Sequence, residues 1–167
     1  MAKGYLTLAV LLAFSGVCAQ DFAEACAFDR WYVGGAGTVV LPQGGARMRQ
    51  LCGGAARFGY YVTETFALDG EAAWVENRTG LSVKALRHLQ GWEFWGKLFG
   101  YERFDPFLTV GVKGWIDHGQ LGPVFGLGAL YYLTDSWALR ADADLTLGLD
   151  SAAETVHSLS LGLQYSF

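Results

Sequence analysis

The chain has 167 residues, of which only 17% are charged, and its formal net charge is −4 at pH 7. This acidic balance argues against a nucleic-acid partner, because such partners require a basic surface. Twenty-three glycines, 15% aromatic residues and only three prolines favour one β-rich domain with long strands over a helical bundle.

The first 19 residues are predicted to be a secretory signal peptide. A positive start at Lys3 precedes an apolar run, and Val17-Cys18-Ala19 provides a small-residue cleavage site. Acylation of Cys18 would instead indicate a lipoprotein, but the bulky Val17 before it disfavours that alternative. Removal of the peptide leaves 11 basic and 16 acidic residues, a net charge of −5. After the signal peptide the sequence has no apolar run of about 18 residues, so it predicts no membrane-spanning helix.

Residues 20–30 are predicted to be a short periplasmic leader, and they contain one of the two cysteines that remain after export. Export permits disulfide formation. The predicted strands, however, separate Cys26 and Cys52 to opposite ends of neighbouring strands, too far apart for a disulfide bond. We therefore expect two free thiols.

The rest of the chain alternates between apolar and small or polar residues, in segments separated by turn residues. Alternation of period two predicts strands with two different faces. A length of about 11 residues suits a strand that crosses a bilayer at a tilt. The predicted strands are 31–41, 51–62, 65–76, 84–98, 105–116, 121–133, 135–147 and 155–167.

Two segments of the chain repeat each other. The segment 60–68 reads YYVTETFAL and the segment 131–139 reads YYLTDSWAL. Each consists of a strand, a short polar turn and another strand, which predicts a β-hairpin.

One face of the predicted strands is apolar, and the other carries charges of both signs. If the apolar face meets lipid, the charged face lines the lumen of an eight-stranded barrel. The side chains of such a barrel just fill its lumen. Small glycines on the charged face make room there for larger neighbours. Buried charges are costly unless they are paired, so we expect a network. The predicted lumen network consists of Arg57, Asp69, Glu71, Glu93, Lys97, Lys113, Arg140, Asp142 and Asp144.

Aromatic residues of the apolar face gather at one end of the strands, beside the turns. A ring of such residues at one height indicates an interfacial girdle. It favours a membrane barrel over a soluble barrel, whose large apolar side chains would fill the lumen. The predicted girdle consists of Tyr60, Phe66, Tyr131, Trp137 and Tyr165.

The last ten residues, SLSLGLQYSF, alternate strictly and end on Phe167. Together with the segments WYVGG at 31–35 and PFLTVGV at 106–112, the two repeated hairpins and the signal peptide, this ending resembles the small outer-membrane β-barrels of the OmpA/OmpX type. That family occurs in Gram-negative bacteria, and the resemblance extends over nearly the whole exported chain.

The resemblance implies an eight-stranded antiparallel up-and-down transmembrane β-barrel over residues 31–167, with both termini on the periplasmic side of the bacterial outer membrane. Tyr165 and Phe167 would then form an assembly signal for the barrel-assembly machinery, with periplasmic chaperones as further partners and outer-membrane lipid around the barrel. The implied role is non-enzymatic, either structural or directed at an unidentified surface ligand. The predicted outer loops are all short, which disfavours adhesion; they lie near 42–50, 77–83, 117–121 and 148–154.

Two other functions stay open at this point, a narrow pore for ions or solutes and a lipid-modifying enzyme. For an enzyme, His157 and Ser158 are the nearest candidate pair, but adjacent strand residues point to opposite faces. Asp117 belongs to a segment of turn composition. His88, His118 and His157 are all expected near the outer rim, on separated strands and without a metal-binding spacing. We therefore expect no catalytic, cofactor or metal site.

Overall fold

The computed structural model describes residues 30–43, 50–76, 78–89, 103–148 and 155–167. The predicted signal peptide and all but the last residue of the predicted leader lie outside these ranges. Within them, no helix is long and apolar enough to cross a membrane.

Eight antiparallel strands form a closed barrel in which each strand pairs with its neighbours in sequence, and the last strand pairs with the first. Closure leaves no strand edge with unpaired backbone groups, which lipid could not satisfy. The predicted fold is therefore confirmed. The strands are β1 (Arg30–Gln43), β2 (Leu51–Thr63), β3 (Phe66–Val75), β4 (Arg78–His88), β5 (Phe104–Trp115), β6 (Gln120–Tyr132), β7 (Trp137–Thr146) and β8 (Thr155–Ser166).

Both described chain ends lie at the same end of the barrel, because β1 and β8 pair from Tyr32–Ser166 to Gln43–Thr155. We call this the terminal end and the opposite end the distal end. Burial alternates along the strands as the sequence pattern predicts: Arg140, Asp142 and Asp144 are buried in the lumen. The apolar residues between them face outward.

The two repeated segments form equivalent hairpins at the terminal end, one joining β2 to β3 and the other joining β6 to β7. In the first hairpin the backbone N–H of Thr65 donates to the Thr63 hydroxyl, at 3.3 Å. In the second, the N–H of Trp137 donates to the Thr134 hydroxyl, at 3.0 Å. The repeated threonine therefore satisfies turn amides in both places, a common use of hydroxyl side chains in turns.

Strand β4 differs from its prediction, since it spans Arg78–His88 rather than 84–98. Most of the predicted loop at 77–83 is part of β4. In this part of the strand, Leu81 and Val83 face outward, and Ser82 and Lys84 face the lumen. A tight turn replaces that loop, with Glu76 in the left-handed region at φ 52°. The composition of the segment NRTG at 77–80 suggested a longer turn than the chain makes there.

Candidate functional site

The inward faces of five strands bring charged side chains together at mid-height in the lumen. Each of these side chains belongs to a residue that is at most 5% exposed. Strand β2 contributes Arg57, β3 contributes two carboxylates, β4 and β5 contribute one lysine each, and β7 contributes three residues. The members are Arg57, Asp69, Glu71, Lys84, Lys113, Arg140, Asp142 and Asp144. We call this set the charge layer.

Glu71 is the acceptor for three cations of the charge layer. Its Oε2 lies 2.9 Å from Arg57 Nε and 3.2 Å from Lys84 Nζ, and its Oε1 lies 3.1 Å from Lys113 Nζ. Lys84 also reaches Asp144 Oδ2 at 3.0 Å, so it connects β4 to β7 across the lumen. Charge-assisted hydrogen bonds of this kind are the stronger class in proteins.

Arg140 is the second centre of the charge layer. Its Nη2 lies 2.8 Å from Asp69 Oδ2 and 3.0 Å from Asp142 Oδ1, and its Nη1 donates to Gln164 Oε1 at 3.2 Å. Arg57 joins the two centres, because its Nη1 lies 2.7 Å from Asp142 Oδ2. The layer contains four cationic and four carboxylate side chains, so its formal charge is zero and every charge has a partner.

Seven of the nine side chains predicted for the lumen lie in the charge layer. The other two, Glu93 and Lys97, lie outside the described residues. Lys84 was missed because the predicted fourth strand began at that residue. The alternation in LSVKALRH, residues 81–88, is the signal that identifies Lys84 as inward-facing.

A second polar cluster lies in the lumen nearer the terminal end. His88 Nδ1 is 2.6 Å from Asp105 Oδ2, and the Tyr132 hydroxyl donates to the same oxygen at 3.4 Å. His88 lies at the terminal end of the barrel, beside the start of β3, whereas His157 pairs with Leu41 near the distal end, so the expectation that these histidines share one rim is wrong. The cluster combines residues of three strands, so no local motif announces it.

Two apolar layers inside the lumen enclose the charge layer. At the terminal end the largest members are Tyr32, Tyr61, Leu86, Phe107 and Leu130. The Arg140 guanidinium lies 5.1 Å from the Phe107 ring centre, so the charge layer and this layer are in contact. At the distal end the layer consists of Val40, Leu51, Val75, Trp115 and Val156.

The outer surface is apolar along the strands, and several of its aromatic residues meet at the terminal end. Trp31 stacks on Phe58 with ring centres 4.9 Å apart, and Trp137 lies 4.9 Å from Tyr165. Of the predicted girdle, Tyr131 and Trp137 are exposed and Tyr60 and Tyr165 are partly buried, all on the outward face. Phe66 departs from the prediction, since it is only 5% exposed and presents little surface to lipid.

The residues weighed for catalysis or metal binding do not come together. His157 faces outward on β8 and Ser158 faces the lumen, so the pair cannot form a hydrogen-bonded dyad. The Asp117 carboxylate accepts a hydrogen bond from the Thr79 backbone N–H and so supports the β5–β6 turn. Across the described ranges, no group of three or more His, Cys, Asp or Glu residues is arranged to hold a metal ion.

The prediction of two free thiols can be checked at one of the two cysteines. Cys52 is a free, exposed thiol on the outward face of β2. Cys26 lies outside the described residues.

Comparison with solved structures shows the same fold in outer-membrane proteins. The N-terminal β-barrel domain of Pseudomonas aeruginosa OprF is 18% identical, with a TM-score of 0.57, over 81% of this chain and 97% of that one. P. aeruginosa OprG is 12% identical, with a TM-score of 0.61, over 84% and 96%. Yersinia pestis Ail, solved with the heparin analogue sucrose octasulfate, is 15% identical, with a TM-score of 0.56, over 84% and 99%.

A family model described as "Outer membrane protein beta-barrel domain" matches residues 9–167. The comparison with curated protein sequences found no match. The family match spans nearly the whole chain and agrees with the closed barrel, its apolar outer face and its structural neighbours. The chain therefore belongs to the outer membrane protein beta-barrel family and is a protein of the bacterial outer membrane.

Proposed function

We propose that this chain is a non-enzymatic outer-membrane barrel with a structural or surface-interaction role, and that its lumen is closed. The observation that carries the proposal is the charge layer, whose four cations and four carboxylates are all buried and paired. An eight-stranded barrel is just wide enough for such side chains to fill it.

The apolar layers add a second reason for a closed lumen. An ion entering from the distal end first meets the layer that contains Val75, Trp115 and Val156. Hydrophobic constrictions close pores because water withdraws from them. Conduction therefore requires the displacement of apolar side chains as well as the exchange of ion-pair partners. Removing one partner of a buried ion pair typically costs about 3–5 kcal/mol.

A narrow pore is the second candidate, and one observation favours it. Polar atoms of the lumen, namely Arg57 Nη2, Asp69 Oδ1 and Ser82 Oγ, are buried and have no hydrogen-bond partner among the described residues. Such groups are usually satisfied by ordered water. A file of water through the charge layer would be the first requirement of an ion path.

Current across a planar bilayer tests the two candidates against each other. The purified full chain is compared with the variant Arg140→Ala/Asp142→Ala, which removes one cation and one carboxylate from the charge layer. The control, Arg103→Ala/Asp135→Ala, removes the same charges from exposed positions at the terminal end.

We expect no discrete current steps from the folded wild-type barrel or from the control. Discrete steps whose size or ion selectivity changes in Arg140→Ala/Asp142→Ala, but not in the control, would overturn the closed-lumen proposal. They would make the charge layer the selectivity region of a small pore.

We further propose that the terminal end faces the periplasm and that Phe167 is read by the barrel-assembly machinery. Phe167 is 62% exposed and contacts Tyr165 edge-on at 5.4 Å, so it adds little to the packing of the closed barrel.

Phe167→Ala should therefore lower the amount of barrel assembled in the outer membrane of growing cells. Its stability after refolding in lipid vesicles should stay within about 0.5 kcal/mol of wild type. Normal assembly of the variant would refute the role of Phe167.

The surface-interaction part of the proposal rests on the fold and on location alone. The Ail neighbour was solved with a heparin analogue. In the described part of this chain the distal connections are short, with a tight turn at Glu76 and a turn over Ile116–Gly119. A ligand for this barrel would therefore meet a compact distal rim at these two turns.

A further inference from the structure

A small cavity lies at the distal end of the lumen, between the charge layer and the rim. Its polar lining comes from Lys113, Trp115 and Thr146, and Leu147 and Gly148 form its edge where β7 ends. The centre of a water molecule can move within about 10 Å³ of this cavity, which leaves room for one water molecule or one small ion.

Two side chains of the lining carry buried hydrogen-bonding groups without a partner in the described part of the chain. They are the indole N–H of Trp115, a residue that is 2% exposed, and the hydroxyl of Thr146, a residue that is 4% exposed. A buried polar group without a partner is costly, and natural proteins rarely leave two together. An indole N–H only donates, so its missing partner must be an acceptor.

The indole of Trp115 lies face-on over Gly80 of β4. A Cβ built on Gly80 would meet Cζ3 at 3.0 Å, Cε3 at 3.1 Å and Cη2 at 3.4 Å, distances that place it above the six-membered ring. The plane of the indole therefore runs along β4, and Trp115 also forms part of the lining of the cavity.

Lys113 places a positive charge beside the cavity. Within the described residues, its ammonium forms one ion pair, with Glu71, at 3.1 Å. Glu71 also serves Arg57 and Lys84, so three cations share this carboxylate. The ammonium lies 5.2 Å from the Trp115 ring centre, close to the cavity. The surroundings of the cavity thus combine a lysine ammonium with two hydrogen-bonding groups that lack a partner in the described part of the chain.

We propose that this cavity binds one monovalent anion of halide size. A cation would be repelled by Lys113, and a larger oxyanion would exceed the space. The Trp115 N–H, the Thr146 hydroxyl and the Lys113 ammonium would each donate to the anion, which satisfies both unpartnered groups.

Anomalous diffraction from crystals of the full chain grown with bromide tests the site. A bromide peak is expected in the cavity, within hydrogen-bonding distance of Trp115 Nε1 and Lys113 Nζ. The peak should disappear in Trp115→Phe and Thr146→Val, which remove one donor each; Thr146→Val also keeps the side-chain shape. It should persist in the control Trp74→Phe, which makes the same Trp-to-Phe change at an outward-facing residue. Water in the cavity, or adventitious bromide at the surface only, would overturn the proposal.

A solution measurement covers the case in which a variant does not crystallise. The urea midpoint of the folded barrel is measured in rising bromide, with gluconate keeping the ionic strength constant. The wild-type midpoint should rise with bromide, because a ligand that binds only the folded state stabilises it. In Thr146→Val the bromide concentration required should increase roughly tenfold, since a hydrogen bond to an ion is lost. An equal response of wild type and Thr146→Val would refute the site.

Discussion

At the scale of single residues, inward-facing glycines decide where the large lumen side chains lie. A Cβ on Gly59 would be 2.0 Å from Cζ of Tyr32, and a Cβ on Gly128 would be 2.4 Å from Cζ of Phe107. Both aromatic rings belong to the apolar layer at the terminal end. The rings therefore occupy the space that a side chain at these glycines would need. This agrees with the prediction that small glycines in the lumen make room for larger neighbours.

The substitution Gly59→Ala should destabilise the barrel by about 1–3 kcal/mol, because Tyr32 must move within a packed layer. Gly35→Ala is the matched control, since a Cβ there meets nothing within 4 Å and faces outward. Urea titrations of folding into lipid vesicles measure both. Equal stabilities of the two variants would show that the ring of Tyr32 is not held over Gly59.

At the scale of elements, period-two alternation is sufficient to identify strands and their faces wherever it is clean. It identifies β7 closely, because Arg140, Asp142 and Asp144 alternate with alanine and leucine. The alternation did not identify β4 correctly. The aromatic-rich segment after Leu89 was included in the predicted strand, whose bounds therefore lay too far toward the C-terminus. Pairing with β3, from Phe66–Arg87 to Val75–Arg78, determines where β4 begins and ends.

The corrected position of β4 has a testable consequence. Val83 is 68% exposed at the middle of this strand, so Val83→Lys places a charge in the centre of the apolar belt. We expect a loss of about 2–4 kcal/mol in the free energy of unfolding from a lipid bilayer.

The control for Val83→Lys is Ile116→Lys, at a residue that is similarly exposed but lies at the distal rim. Its cost should be at most about 1 kcal/mol, because the penalty falls toward the interface. If Val83→Lys proved as mild as Ile116→Lys, the middle of β4 would not face lipid, and its assigned register would be wrong.

At the scale of the whole molecule, the charge layer ties together strands that are far apart in sequence. Lys84 on β4 reaches Asp144 on β7, sixty residues away, at 3.0 Å. These contacts exist only because the sheet closes, which brings the inward faces of non-neighbouring strands together. The layer is therefore a product of closure rather than of any one hairpin.

Lys84→Met should cost about 3–5 kcal/mol in stability, since it leaves Asp144 buried without its cation. Lys84→Met/Asp144→Asn removes both charges, so its cost should be clearly smaller than the sum of the two single substitutions. Folding into vesicles measures the cycle, with Arg103→Met as an exposed control that should change stability by less than about 0.5 kcal/mol. Simple additivity of the two substitutions would show that this pair does not interact.

The sequence by itself determined the class of fold, the outward and inward faces of most strands, both terminal-end hairpins and seven members of the charge layer. These follow from local alternation and turn chemistry, which are readable within a dozen residues. Only the tertiary structure decided the bounds of β4, the His88–Asp105 pair and the distal cavity beside Trp115. Each of these depends on strand register and barrel closure, which join residues distant in sequence and leave no local pattern.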